Sequence, residues 1–160
     1  MRLTVIGTGY LGATHAICMA VLGHDVLALD RDGERLAALA AGRVPFHEPG
    51  LPEMLRKALD SGRLRFTDDV VEVAAFGEVH FVCTGTPQLA GSMGADLSQV
   101  EGAVAALAPH LERPCLVVGK STVPVGTAER LATLLAALAP AGPAAELAWN
   151  PEFLREGHAI

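Results

Sequence analysis

The sequence predicts an α/β domain, a doubly wound and mainly parallel six-stranded sheet with helices on both faces. Three observations carry that expectation. Short apolar runs alternate along the chain with segments whose apolar residues recur at helical spacing. Glycine, proline or an acidic residue punctuates most of the junctions between them. At 160 residues the chain can bury one core, and with 51% hydrophobic but only 4% aromatic residues that core is built from Ala, Val and Leu.

Each element follows in order. "RLTVIG" is a β-branched run ended by glycine, a buried strand, and "YLGATHAICMAVLGH" is a helix closing at Gly23. "DVLALD" is a second strand and "GERLAALAAG" a short amphipathic helix. "RVPFHEPGLPEMLRKALDSG" begins as a Pro/Gly loop and turns helical near Leu51, with Met54, Leu55 and Leu59 at helical spacing. "LRFT" and "VHFVCT" are strands around the helical "DDVVEVAAFG". The glycine-rich "GTPQLAGSMGA" leads to Asp96, which with Gln99 resembles a capping box for a helix running to about His110. "CLVVGK" is a strand, "TAERLATLLAAL" a helix with Thr127 as its expected N-cap, and "ELAW" a last strand before the polar loop "NPEFLREGHAI".

Charge and composition narrow the function. A formal charge of −6 argues against nucleic acid and against an anionic membrane surface as partners. No apolar run approaches the roughly 18 residues of a membrane span, and the N-terminus lacks the charge pattern of a signal peptide. Cys18, Cys83 and Cys115 each lie in an apolar stretch and form no C-x-x-C pair, which suggests reduced thiols and a cytoplasmic protein. The six histidines show no ligand spacing, so no metal site is expected.

Ligands of doubly wound sheets bind beyond the carboxyl ends of the strands. Here every chemically suggestive stretch falls at such an end. Gly7-Thr8-Gly9-Tyr10-Leu11-Gly12 is a G-x-G-x-x-G between a strand and a helix, the context its dinucleotide reading requires. Gly7 permits the turn, Gly9 lets a pyrophosphate approach the backbone, and Gly12 allows close helix–strand packing. The helix start then offers free N–H groups to phosphates. Asp30 ends the second strand, 18 residues beyond Gly12, where a carboxylate can accept from ribose hydroxyls. It would repel a 2′-phosphate, favouring NAD over NADP, with Arg31 beside it acting the other way. The domain is thus expected to be Rossmann-like and to take NAD. FAD, which uses the same fingerprint, is the weaker alternative.

"VVGKSTVPVGT" invites a triphosphate-loop reading that fails on counting. The glycine needed five residues before Gly119-Lys120 is Pro114, and Cys115–Val118 is a strand. What remains is a strand ending in Lys-Ser-Thr, which places the Ser121 and Thr122 hydroxyls at the crevice. There they could bond substrate, water or a carboxamide, or simply form a turn. Past the last strand, Glu152 and Glu156 stand four apart with Arg155 between them. Oxidising an alcohol requires a base for the hydroxyl proton, and a glutamate near a hydroxyl-held water could serve. The competing reading is two solvated charges.

"VIGTGYLG", "FHEPGL", "VCTGTP", "ADLSQV", "KSTVPVGT" and "NPEFLREGHAI" occur in the order seen in the UDP-glucose/GDP-mannose dehydrogenase family, and the chain resembles that family's NAD-binding N-terminal domain throughout. "KSTVPVGT" with "NPEFLREG" points to the UDP-glucose branch rather than the GDP-mannose or UDP-N-acetylmannosamine branches. The resemblance implies that C6 of UDP-glucose is oxidised twice, giving UDP-glucuronate and two NADH. It implies that Thr122 and Glu152 flank a catalytic water and that Glu156 lies near the nicotinamide. Glu152, Phe153, Leu154 and Arg155 would line the sugar-nucleotide site, partly through backbone. Gly7, Gly9, Tyr10, Leu11, Gly12, Asp30, Arg35, Thr86, Ser121, Thr122, Val123 and Glu156 would contact NAD.

One departure counts. The family's nucleophilic cysteine lies in a Gly-x-Cys-Phe-Pro-Lys-Asp-like stretch that these 160 residues lack, as they lack the family's catalytic lysine and asparagine. Lys120 belongs to a different motif. The second oxidation passes through a thiohemiacetal and a thioester, so the chain is expected to bind NAD without completing the reaction. Residues 1–160 then form one NAD-binding domain, with the family's central and C-terminal domains absent and a homodimer implied only for the full-length protein. The alternatives are a stand-alone NAD-binding module with a sensing or scaffolding role, or another nucleotide-sugar dehydrogenase.

Overall fold

The computed structural model describes residues 1–160. Six strands form one sheet: β1 (Arg2–Ile6), β2 (Asp25–Leu29), β3 (Leu64–Thr67), β4 (Val79–Val82), β5 (Cys115–Gly119) and β6 (Ala145–Trp149). Between them run α1 (Tyr10–Val21), α2 (Gly33–Ala40), α3 (Leu51–Asp60), α4 (Val70–Phe76), α5 (Ser98–Leu107) and α6 (Thr127–Leu138). The strand order is β3-β2-β1-β4-β5-β6, and every strand pair is parallel. The expected "mainly parallel" sheet is wholly so. An antiparallel bridge, Gln88 to Ala95, lies outside it in the β4–α5 loop.

Alternation along the strands builds two cores. Leu3 and Val5 of β1, with Val26 and Ala28 of β2, pack against Ile17, Leu39 and Leu55 on one face. Ile6 and Leu27 point the other way and join Val73, Val104, Leu107, Leu131 and Leu135. Successive strand side chains face opposite sides, so strands apolar at every position require helices on both faces. Here α1 and α3 cover one face, and α4, α5 and α6 the other. Reversal of the strand order between β1 and β4 opens a crevice at their carboxyl ends.

Two helix starts differ from expectation. Thr127 is not the N-cap of α6 but its first helical residue. Gly126, at φ +87°, brings the chain in from Pro124, so the buried Thr127 side chain makes no cap bond. At α5, Asp96 accepts from the Ser98 N–H at 2.9 Å, but Gln99 returns no bond, so the box is half built. Gln99 instead lines the crevice. The α-helix ends at Leu107, and a single 3₁₀ turn carries it to His110.

Candidate functional site

The crevice at the carboxyl ends of β1, β2 and β4 has a volume of about 620 Å³. Gly7, Gly9, Asp30 and Arg35 line it, together with Thr84 and Gly85 at the carboxyl end of β4 and with Ser98 and Gln99 of α5, which sequence reasoning did not place at the site. The three motif glycines are needed for three different reasons. Gly7 sits at φ +92°, and a Cβ there would press on the Cys83 and Thr84 backbone at 3.1 Å. A Cβ on Gly12 would overlap the Gly7 carbonyl oxygen. Gly9 has ordinary φ of −63° and nothing within 4 Å of where a Cβ would stand. The fold leaves that space open, beside the first turn of α1.

No side chain caps α1 and no acidic residue lies in its first turn. Its leading N–H groups therefore face the crevice unpaired, with the positive end of the helix dipole behind them. Thr84 adds a buried hydroxyl with no protein partner on the crevice wall. An anionic pyrophosphate beside Gly9, with polar groups further along the crevice, satisfies these donors. The residues fit a dinucleotide.

Asp30 is 7% exposed and heavily engaged. Its Oδ2 accepts from the Thr8 N–H (2.7 Å), the Thr8 hydroxyl (2.8 Å) and Arg35 Nη1 (3.0 Å), while Oδ1 accepts from the Asp32 N–H at 3.0 Å. Burial alone would raise its pKa, but these donors outweigh it and hold the carboxyl below its ordinary value. Asp30 thus braces the glycine turn through Thr8 and still borders the crevice. Thr8 could have been foreseen from its place inside the motif, but its acidic partner lies 22 residues away.

The β5 end is stitched to its neighbours. The Ser121 hydroxyl donates to the Thr84 carbonyl (2.6 Å), the Thr86 hydroxyl to the Thr122 carbonyl (2.9 Å), and Trp149 Nε1 to the Ser121 carbonyl (2.9 Å). Lys120 Nζ donates to Asn150 Oδ1 at 2.7 Å. Ser121 is therefore a tie between loops, its proton committed, while the Thr122 side chain is exposed. Glu152 accepts from the Leu154 N–H. Burial pushes the Cys83 thiol up to about 12, with Lys120 acting against that rise and the Glu152 carboxylate adding to it. The structure shows no hydrogen bond between Thr122 and Glu152. Phe153 (94% exposed), Leu154, Arg155 and Glu156 are exposed, and none of them lines the 620 Å³ crevice. The Tyr10 hydroxyl donates to Glu48, which sequence reasoning passed over. No cluster of three or more His, Cys, Asp or Glu side chains is placed to hold a metal ion, and no helix is long and apolar enough to cross a membrane.

A doubly wound sheet with this glycine turn, acid and open helix start defines a dinucleotide-binding domain. The chain belongs to the UDP-glucose/GDP-mannose dehydrogenase family, whose NAD-binding domain matches residues 1–160, and the dinucleotide is NAD. It is 42% identical over 160 residues to a UDP-glucose 6-dehydrogenase of Rhizobium meliloti, covering all of this chain and 36% of that protein. Among solved structures, a UDP-glucose dehydrogenase from Pyrobaculum islandicum superposes with a TM-score of 0.90 at 43% identity, over 99% of this chain and 37% of that one. GDP-mannose dehydrogenase from Pseudomonas aeruginosa gives 0.94 at 31% identity, over 100% and 38%. The chain thus spans little more than a third of the length of these relatives.

Proposed function

We propose that residues 1–160 are the NAD-binding domain of an enzyme that oxidises C6 of UDP-glucose to the carboxylate, and that by themselves they bind NAD without completing that oxidation. The observation that carries the binding reading is the open space beside Gly9 under the unpaired N–H groups of α1. Gly7, Gly9, Leu11 and Gly12 would hold the pyrophosphate, and Asp30 and Arg35 the adenosine ribose. Thr86, Ser121 and Thr122 would border the nicotinamide end. NAD supplies the hydride acceptor. Glu152 and the Thr122 hydroxyl would hold the water that takes up the substrate proton, Glu156 would lie near the nicotinamide, and Glu152, Phe153, Leu154 and Arg155 would meet the sugar nucleotide. The 42% and 43% identities to UDP-glucose enzymes support the substrate assignment.

Incomplete turnover follows from the thiols. A nucleophilic cysteine acts as its thiolate. Burial raises the pKa of Cys18, Cys83 and Cys115 alike, and Cys83 reaches about 12. Titrating the chain with NAD and NADP, then adding UDP-glucose while following NADH absorbance, tests both parts. Saturable binding that prefers NAD, with no sustained NADH formation, is expected. Absence of NAD binding, or continuous turnover, would overturn the proposal.

A further inference from the structure

Glu48 lies in the loop between α2 and α3 and is only 3% exposed, yet no Lys, Arg or His pairs with it. A buried carboxylate without a cation persists only where hydrogen-bond donors converge on it. Here Oε2 accepts from the Tyr10 hydroxyl and from the Gly157 N–H (2.9 Å), and Oε1 from the Ala159 N–H (3.0 Å). Tyr10 has one proton to give, and it goes to Glu48. The phenol oxygen accepts from Gly157 N–H at 3.1 Å in return, and the Arg155 carbonyl lies further off at 3.4 Å. Phe46 meets the Tyr10 ring edge-on, with centroids 5.0 Å apart, and so seats the loop that carries Glu48. The first turn of α1, the α2–α3 loop and the segment after β6 therefore meet at one carboxylate, across 109 and 111 residues of sequence.

We propose that Glu48 is a positioning residue that clamps the backbone of Gly157 and Ala159 to α1 and thereby sets where the segment carrying Glu152, Arg155 and Glu156 stands relative to the first turn of that helix. Its significance for catalysis rests on the dehydrogenase reading above, but the clamp itself does not. The Tyr10 hydrogen bond holds the Glu48 carboxyl below its ordinary value, and burial followed by Glu48 raises the Tyr10 phenol. Both directions agree with an ionised carboxylate receiving a phenolic proton. Glu48 does not border the 620 Å³ crevice, and its oxygens are already taken, so it acts through the segment it holds.

Amide hydrogen exchange on the chain without dinucleotide tests this. Glu48→Ala is expected to speed exchange at Gly157 and Ala159 by about tenfold or more while the amides of β1, β4 and β5 stay protected. Glu48→Gln, which keeps one carbonyl acceptor, should restore part of that protection. Tyr10 is the only tyrosine in the chain, so a ring-carbon label gives one resonance, and it should move toward free tyrosine in both variants. Unchanged exchange at Gly157 and Ala159 in Glu48→Ala would overturn the clamp. Should Glu48→Ala lose its fold, Glu48→Gln decides: faster exchange at Gly157 or Ala159 than in the parent chain supports the clamp, whereas unchanged exchange at both overturns it. Failure to bind NAD would leave these results untouched and strike only the functional proposal.

Discussion

The two halves of the sheet's carboxyl edge are held by different means. On the β1–β2 side, backbone sterics fix the geometry: Gly7 at φ +92°, Gly12 against the Gly7 carbonyl, and Asp30 clamped onto Thr8. On the β5–β6 side, side chains from separate strands do it. Trp149 holds Ser121, Lys120 holds Asn150, and Glu48 reaches the segment beyond. The first half is a short-range construction with almost no freedom to rearrange. The second is a set of single hydrogen bonds, each on a group that can turn away. A stiff glycine turn thus neighbours a more adaptable wall.

The glycines give the largest test of that contrast. Gly12→Ala puts a methyl group into the Gly7 carbonyl, where only backbone movement can relieve it. The expected cost is about 3 kcal/mol or more, seen as a collapse of the melting temperature and of NAD binding. Gly9→Ala meets no protein atom, so stability should change by less than about 1 kcal/mol. NAD affinity should nonetheless fall by about tenfold or more, because the methyl fills the space left for phosphate. A Gly9→Ala chain that binds NAD normally would break the assignment of that space.

This contrast also explains what was legible in the sequence. The sheet, its helices and the glycine turn are written in local patterns: β-branched runs, helical spacing, and a motif within six residues, Gly7–Gly12. Asp30 was legible because motif and acid keep a regular spacing. Glu48 and Trp149 were not, because their roles exist only once distant strands and loops meet. Trp149 also read as an apolar strand residue, when its indole N–H is what holds Ser121. Thr127 looked like a cap because Thr favours that position, but the neighbouring Gly126 could enter the left-handed region and took it.

Acid separates the halves from the core beneath them. His80, wholly buried on β4 beside Thr4, has its pKa lowered to about 4 by burial and by Arg113. His15 on α1 falls to about 4 through burial and through the Lys120 charge. A histidine with a depressed folded pKa binds its proton more readily when unfolded, so stability is full above about 6.5 and falls as pH drops toward 4. At about 1.4 kcal/mol per pH unit, His80 alone accounts for roughly 3 kcal/mol over that window. Asp30 adds a second loss in the same direction, at lower pH. Its folded pKa is depressed below 3.8, so its contribution is intact above that value and is lost only at lower pH. Urea midpoints measured from pH 7 to 3 should therefore decline in two stages. A flat profile down to pH 4 would contradict the histidine burial. Lys120→Met should raise the His15 pKa and leave that of His80 unchanged, since only His15 faces Lys120.

The smallest effect is expected at the adaptable wall itself. A Cβ on Gly119 would overlap the Trp149 ring, which looks as forbidding as the clash at Gly12. The obstacle differs in kind, because it is a half-buried side chain on an edge strand rather than backbone. The ring can swing outward, giving up its hydrogen bond to the Ser121 carbonyl, so Gly119→Ala should cost only about 1–2 kcal/mol. Trp149 is the sole tryptophan, and its emission should shift to the red as the indole meets water, reporting this wall and nothing else. NAD affinity should change less than in Gly9→Ala, because the phosphate cradle is untouched. A loss of stability as large as that of Gly12→Ala, with unshifted emission, would mean that this wall is as rigid as the glycine turn and that the contrast between the halves does not hold.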